Sequence, residues 1–473
     1  MSDSIRKGFN VHLDNENLCF LIVFAVVLLT RIPFLGVPGY GMDFDAWLVA
    51  ETSERIAGEL RYSVSRFPGY PFQELFYALV PGRDPFVYNF ITSVFSALGA
   101  GFFCLILRKL EVKNYFWGAF ALAFLPVYYI NSLNAMDYVW AAAFYLGSLY
   151  FVLSKNYIAA GILLGLAAGS RITSGAFIFP YSMLVLYLEG KEGAVKKIIT
   201  FAFAVLITTG LIFLPAFCEY GIGFFTFYDE AYPAFGDIIK KMTYFVWGIP
   251  GFAAFGVFFV IALINIIRKK QLSDLFRSPY SAIVIAVILY LAAYFKFPKE
   301  PEYLIPVVPF VIILLQKFLN SSQFKIFCFA AVVSSFIFSV KLGDFEVETT
   351  PLIKTNIGGM SITLSTEGPL FINRKRRIAE FDYLNEVAEK FSELPPKSIV
   401  IAGWKKNKLD LFLKGKQNST KFVIYPAVDS LKKYQNSGYR LFYLKKAVYT
   451  GELYSKKGLT IKPLFDDDQK VID

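Results

Sequence analysis

Long apolar runs broken by short polar connections fill most of the first 342 positions of the chain. A membrane-spanning helix needs about 20 such residues, and the first run of that kind covers 18–36. Others follow near 86–107, 115–131, 136–153, 157–170, 173–188, 198–217, 244–267, 279–295, 303–318 and 326–342, which makes about eleven spanning helices. The 157–188 stretch reads as two short, partly re-entrant helices broken near Gly169-Ser170-Arg171. From about residue 343 the apolar runs shorten and charge rises. Helical periodicity over 377–394 and 428–435, with short strand-like runs at 398–402, 421–425 and 440–444, predicts a small α/β domain. The expected architecture is an α-helical polytopic membrane protein. A multi-span domain covers 1–342 with its first outward loop at 37–85, and an extracytoplasmic α/β domain covers 343–473.

Composition agrees with lipid as the solvent. Hydrophobic residues make up 56% of the chain and charged residues 18%, against roughly 25% charged in a soluble protein. That excludes a disordered or fibrous chain, a disulfide framework and a soluble cytosolic enzyme. The single histidine, His12, precedes the first apolar run. A histidine-dependent triad, an H-E-x-x-H zinc site and histidine-ligated haem are therefore excluded, and acid–base work falls to Asp, Glu, Lys or Tyr. Cys19, Cys104, Cys218 and Cys328 sit in or beside apolar runs without metal-ligand spacing and read as small core hydrophobes.

The net charge of +11 gains meaning from its placement. Arg6 and Lys7 precede the first run. Arg108, Lys109 and Lys113, then Lys191, Lys196 and Lys197, then Arg268, Lys269 and Lys270 mark connections that fall on the cytoplasmic side if eleven spans start from a cytoplasmic N-terminus. The loop 37–85, the segment 218–243, the turn 296–302 and everything after 342 then face outward. No basic–aromatic pattern argues for nucleic acid. The few cysteines and the cysteine-free tail point to a prokaryotic plasma membrane, while Asn418-Ser419-Thr420 is the one feature that would suit an endoplasmic reticulum membrane.

The first outward loop holds the densest candidate chemistry. Asp43 and Asp45, in Gly41-Met42-Asp43-Phe44-Asp45-Ala46-Trp47, follow directly on the first apolar run. In an extended segment they would share one face, which suits a shared cation or proton. At a helix start, one of them would be the cap. Glu51, Glu54, Arg55, Glu59, Arg61 and Tyr62 have the spacing of an amphipathic interfacial helix and read mostly as solvated surface. Arg66 sits in Ser65-Arg66-Phe67-Pro68-Gly69-Tyr70-Pro71, a rigid turn that would aim its guanidinium at a phosphate or at a loop carboxylate. Arg31, Asp137, Arg171 and the turn Lys296–Glu302 also interrupt apolar sequence. Charge at such depth tends to face a cavity and a function. Outward snorkelling is the alternative for Arg31 and Lys296. All these groups fall on the outward side, where lipid head groups lie.

These residues resemble the GT-C glycosyltransferases, multi-span enzymes that take sugar from a polyprenyl-phosphate carrier, and within them the protein mannosyltransferase-like family 39. Thr30-Arg31-Ile32-Pro33-Phe34-Leu35 resembles the end of the family's first helix, Asp43 and Asp45 its acidic first loop, and Glu302-Tyr303-Leu304-Ile305-Pro306 its late R-Y-L-L-P-type helix start. The resemblance implies an inverting transferase for a hexose, mannose-like or pentose sugar. The donor would be a polyprenyl- or dolichyl-phosphate sugar, and the acceptor a hydroxyl on a protein, glycan or lipid. It implies Asp45 or Asp43 as general base, with Asp45 favoured. Arg66, Arg171, Lys299 and Lys296 would hold the donor phosphate, and Asp137, Glu302 and Tyr303 would assist the acceptor or a metal. A divalent cation, Mg or Mn, held by Asp43, Asp45 and Asp137 belongs to some branches. The rival readings are a transporter or flippase of a lipid-linked or anionic substrate, which would use midplane charges and broken helices, and a membrane scaffold, which leaves Asp43, Asp45 and Asp137 without a role.

Overall fold

The structure is a computed structural model that describes residues 15–82, 84–226, 232–269, 272–342, 347–357, 360–413, 420–444 and 457–465. Arg6, Lys7, His12, Lys270, Asn418 and Ser419 lie outside the described residues.

The apolar runs become helices. In order these are α1 (Glu16–Leu35), α2 (Phe44–Glu59), α3 (Pro71–Leu79), α4 (Pro85–Lys109), α5 (Tyr115–Phe124), α6 (Pro126–Asn131), α7 (Tyr138–Leu153) and α8 (Tyr157–Ser170). Then come α9 (Ile178–Tyr220), α10 (Phe235–Lys240), α11 (Val246–Arg268), α12 (Leu272–Phe276), α13 (Tyr280–Lys296), α14 (Val308–Phe318) and α15 (Ser321–Val333). Side-chain caps start several of them. Asn15 accepts from the Asn17 and Leu18 amides at the head of α1, and Asp84 accepts from the Val87 amide ahead of Pro85 in α4. α9 is two helices joined at Gly190, whose φ of +69° suits a residue without a Cβ.

Among the described residues, four helical stretches are long and apolar enough to cross a membrane: Glu16–Leu35, Pro85–Lys109, Ile172–Phe225 and Phe235–Arg268. The last two bury little of their apolar surface within the protein, as lipid-facing helices do. α8 packs closely on the second half of α9. A Cβ on Gly161, Gly165 or Gly169 would come within 2.5 to 2.6 Å of Ala204, Thr208 or Ile212, so this face of α8 must stay bare for the helices to meet.

The run expected to span over 326–342 does not continue as one helix. α15 ends at Val333, and Ile337–Leu342 is strand β1. Its β-branched and alternating residues pair antiparallel with β3 (Met360–Glu367), which also pairs with β2 (Pro351–Ile357) in a sheet of order β1-β3-β2. The α/β part therefore begins before residue 343. α16 (Pro369–Glu393) follows, then a parallel sheet of order β5-β4-β6-β7. Its elements are β4 (Ser398–Ile401), α17 (Lys406–Phe412), β5 (Lys421–Val423), α18 (Val428–Asn436), β6 (Arg440–Tyr443) and β7 (Ile461–Pro463). This part docks on the bundle through an aromatic cluster, with the Phe371 ring 6.1 Å from Phe34 and 6.3 Å from Phe336.

Candidate active site

The loop between α2 and α3 is tied by one buried carboxylate. Glu74 accepts from the Tyr62 hydroxyl at 2.6 Å, from the Ser65 amide at 2.7 Å and hydroxyl at 2.6 Å, and from the Tyr70 amide at 3.2 Å. Four donors on a fully buried carboxylate fix both ends of the 62–70 segment. Arg66 projects from its centre, beside a cis Phe67–Pro68 peptide.

The Arg66 guanidinium bridges two aspartates from distant parts of the chain. Its Nε lies 3.0 Å from Asp45 Oδ2, and its Nη2 donates to Asp137 Oδ1 at 2.9 Å. The plane sits over the Tyr70 ring, 3.9 Å from its centroid. Its Nη1 is buried and has no protein partner. Asp137 is fully buried ahead of α7 and does not cap that helix. Its second oxygen accepts from Arg171 Nη1 at 2.7 Å. Arg171 is the extended residue where α8 breaks (φ −154°, ψ 108°). Its guanidinium stands 4.3 Å from the Tyr138 ring centroid and 4.8 Å from that of Tyr303.

The chain Asp45–Arg66–Asp137–Arg171 is thus a neutral quartet in which each buried charge meets an opposite one. Asp45 is its most open member, with 30% of its side chain exposed against 10% for Arg66 and none for Asp137. Burial raises the Asp45 carboxyl to about 6, with Asp43 and Asp137 adding to the rise and Arg66 opposing it. Asp43 behaves differently. It is the N-cap of α2, and its Oδ1 accepts from the Asp45 amide at 2.9 Å.

A second acidic edge faces this quartet. Glu302 accepts from Asn131 Nδ2 at 3.1 Å. Burial, with Glu302 and Asp43 next, raises the Glu300 carboxyl to about 8. Lys241, one turn before α11, opposes that rise and donates to the Lys299 carbonyl.

No protein-family model and no curated protein sequence matches the chain. Solved structures do. ArnT from Cupriavidus metallidurans in the apo state aligns over 90% of this chain and 92% of its own, with a TM-score of 0.57 at 12% identity. The same protein bound to undecaprenyl phosphate aligns over 89% and 87%, with a TM-score of 0.52 at 11% identity. The chain has the GT-C fold. Together with the apolar helices, that fold makes it a membrane protein.

Within the GT-C fold the residues singled out from sequence divide. Asp45, Arg66, Asp137 and Arg171 meet within hydrogen-bonding distance, and Tyr303 lies against Arg171. Glu302 stands on the neighbouring acidic edge. Lys296 is exposed at the end of α13, outside the quartet, and the Lys299 ammonium lies 5.9 Å from the Phe297 ring centroid. Arg31 does not snorkel. It is fully buried, donates to Ser132 Oγ at 3.2 Å and to the Ala123 carbonyl, and stacks 3.9 Å from the Tyr129 centroid. It joins α1 to α6 by the cation–π and hydrogen-bonding chemistry of a structural arginine.

A divalent cation fits this arrangement poorly. Asp43 spends an oxygen on a backbone amide, Asp45 meets Arg66, and both oxygens of Asp137 are taken by arginines. Among the described residues no three His, Cys, Asp or Glu side chains gather into a cation site. Glu74, Tyr70, Tyr138, Asn131, Glu300 and Lys241 were not foreseen. For Glu74 a signal existed, since the lone acid in the short, largely apolar helix α3 asks for buried donors.

Proposed function

We propose that the protein is an integral membrane inverting glycosyltransferase that moves a sugar from a polyprenyl-phosphate carrier to an acceptor hydroxyl. One observation carries the reading: a partly exposed carboxylate, Asp45, lies 3.0 Å from an arginine whose remaining Nη1 has no partner. A base and an unsatisfied cationic donor stand side by side, as acyl- or glycosyl-phosphate chemistry needs. In the GT-C neighbour the bound lipid is undecaprenyl phosphate, which supports the same carrier class here.

The chemistry follows from these residues. The acceptor oxygen attacks the anomeric carbon on the face opposite the phosphate, and the bond from that carbon to the phosphate oxygen breaks. The acceptor proton passes to Asp45, and the electron pair leaves on the polyprenyl phosphate. Arg66 Nη1 and Arg171 meet the charge that grows there. Their existing partners hold them in place, so little reorganisation accompanies the step. Neither a carrier nor a scaffold calls for a base beside a phosphate donor. No step requires a divalent cation.

The site lies at the end of the bundle where α1 finishes. Glu16, at the other end of α1, pairs with Lys109 of the first basic cluster. The basic clusters support placing that far end in the cytoplasm and the site on the extracytoplasmic face of a cell membrane. A hexose of the mannose type is the first donor to try, with protein, glycan and lipid hydroxyls as acceptors.

The test offers the purified protein in liposomes a panel of polyprenyl-phosphate sugars and follows release of free polyprenyl phosphate. Consumption of one donor is expected, and a panel left intact with every acceptor class would sink the reading. Two further results are expected. The acidic limb of kcat/KM has its midpoint near the raised value of Asp45, about 6, because the base must be unprotonated. Activity is lost as pH falls through that value, and a limb near the ordinary carboxylate value would reassign the base. Arg66→Ala weakens binding of polyprenyl phosphate by roughly 10- to 100-fold, the worth of a charge-assisted hydrogen bond. Arg66→Lys recovers part of it, and unchanged affinity in Arg66→Ala would remove the phosphate role.

A further inference from the structure

The segment that leads from α1 into the acidic loop has no free carbonyl between Val37 and Met42. Arg377 Nη2 reaches Val37 O at 3.4 Å, Pro38 O at 3.3 Å and Gly39 O at 2.7 Å. Asn89 Nδ2 also donates to Gly39 O, at 3.1 Å. The Ala135 amide takes Tyr40 O at 2.8 Å, and Trp47 Nε1 takes Gly41 O at 2.9 Å. Lys408 Nζ takes Met42 O at 2.8 Å. Asp43 follows at once as the cap of α2. A loop rich in glycine is here held by a donor at every carbonyl, and its first and last donors come from the C-terminal region.

Arg377 does more than hold this segment. Its Nη1 donates to Leu133 O at 3.0 Å and to Asn134 Oδ1 at 3.2 Å, in the turn that delivers Asp137. One guanidinium from α16 therefore ties together the two backbones that carry Asp45 and Asp137. It is 4% exposed; its Nη1 and Nη2 donate to carbonyl and amide oxygens, and its buried Nε has no protein partner. Lys408 is equally buried and is aimed by Glu380, one helical turn after Arg377, which takes it at 2.9 Å while accepting from Lys405 at 3.0 Å. A buried arginine on carbonyls is costly to keep unless the geometry it fixes matters.

We propose that Arg377 and Lys408 are positioning residues for the acid–base site: the C-terminal α/β part latches the 37–42 backbone and the 133–134 turn, and so fixes the spacing of Asp45 and Asp137. The proposal rests on the glycosyltransferase reading for its catalytic consequence, but the latch itself has a readout that needs no turnover. Arg66 and Arg171 stand on their own supports, the Glu74-tied loop and the end of α8. The latch therefore acts on turnover more than on donor binding.

The experiment compares full-length wild type, Arg377→Gln, Arg377→Lys and Lys408→Met in detergent and in liposomes. Hydrogen exchange of the 40–47 and 133–138 amides is read beside kcat and the affinity for polyprenyl phosphate. In Arg377→Gln these amides are expected to exchange about tenfold faster or more, while exchange in the bundle helices is unchanged. The same variant is expected to lose roughly 10- to 100-fold in kcat, the cost of a small misplacement of reacting groups, with donor affinity kept. Arg377→Lys recovers part of both, and Lys408→Met, which leaves Glu380 with Lys405, gives the milder form of the same change should Arg377→Gln fail to fold. Unchanged exchange in folded Arg377→Gln and Lys408→Met overturns the latch. Faster exchange with unchanged kcat overturns the positioning role and leaves the glycosyltransferase reading standing. A wild type that consumes no donor overturns that reading and the catalytic consequence with it, while the exchange result still decides the latch.

Discussion

Asp45→Asn is expected to stop sugar transfer while the protein still folds and inserts. The amide has nearly the shape of the carboxylate, and its oxygen still faces Arg66 Nε, now 3.0 Å from Asp45 Oδ2. What it cannot do is take a proton. Loss of a general base typically lowers a rate by roughly 10²- to 10⁴-fold, and kcat measured with saturating donor should fall within that range. Affinity for polyprenyl phosphate should hold or rise slightly, because a negative charge near the phosphate has gone. Turnover close to that of wild type would assign the base elsewhere. Glu300, on the neighbouring acidic edge, would be the next to substitute.

Asp137→Ala acts on stability before chemistry. Asp137 is fully buried and serves as counter-ion to two arginines at once, at 2.9 and 2.7 Å. Removing one partner of a buried pair costs about 3–5 kcal/mol; here Arg171 loses the opposite charge at 2.7 Å, while Arg66 keeps only Asp45. Unfolding in mixed micelles of SDS and a mild detergent should report a loss of that size, and donor binding should fall as Arg66 and Arg171 drift apart. Asp137→Asn, which keeps two polar atoms, should lose less. Pairing Asp137→Ala with Arg171→Ala should give back part of the stability, as coupled residues do in a double-mutant cycle. Equal stability of wild type and Asp137→Ala would show that the quartet is held by its aromatic walls and not by charge.

Much of this was legible because lipid makes charge conspicuous. A carboxylate at Asp137 or a guanidinium at Arg171 stands out in apolar sequence, and each had to find an opposite charge. The break that ends α8 was expected near Gly169-Ser170-Arg171, where it falls, and the solvated face of α2 followed from its spacing. The polar C-terminal part offered no such contrast. There Arg377 and Lys408 are two basic residues among many, and nothing local distinguishes a side chain that enters the bundle from one that meets water. The end of α15 was hidden by the opposite circumstance. Only the small residues Ser334 and Ser335, with Phe336, stand between α15 and β1, and a short apolar stretch of this kind does not reveal whether its period is that of a helix or a strand. The rings of Tyr70 and Tyr138 were obscured by abundance, since the chain has 29 tyrosines.

The two aspartates of the first loop have divided their labour, and this bears on how kinship to this chain should be sought. Asp43 serves the peptide backbone of α2, a task that serine, threonine or asparagine performs about as well. Only Asp45 faces Arg66. A search pattern that insists on paired acids at this point would pass over relatives that keep the chemistry and have exchanged the cap. One that asks for a single acid on the first turn of the helix, an arginine from the following turn and a buried acid ahead of α7 would retain them.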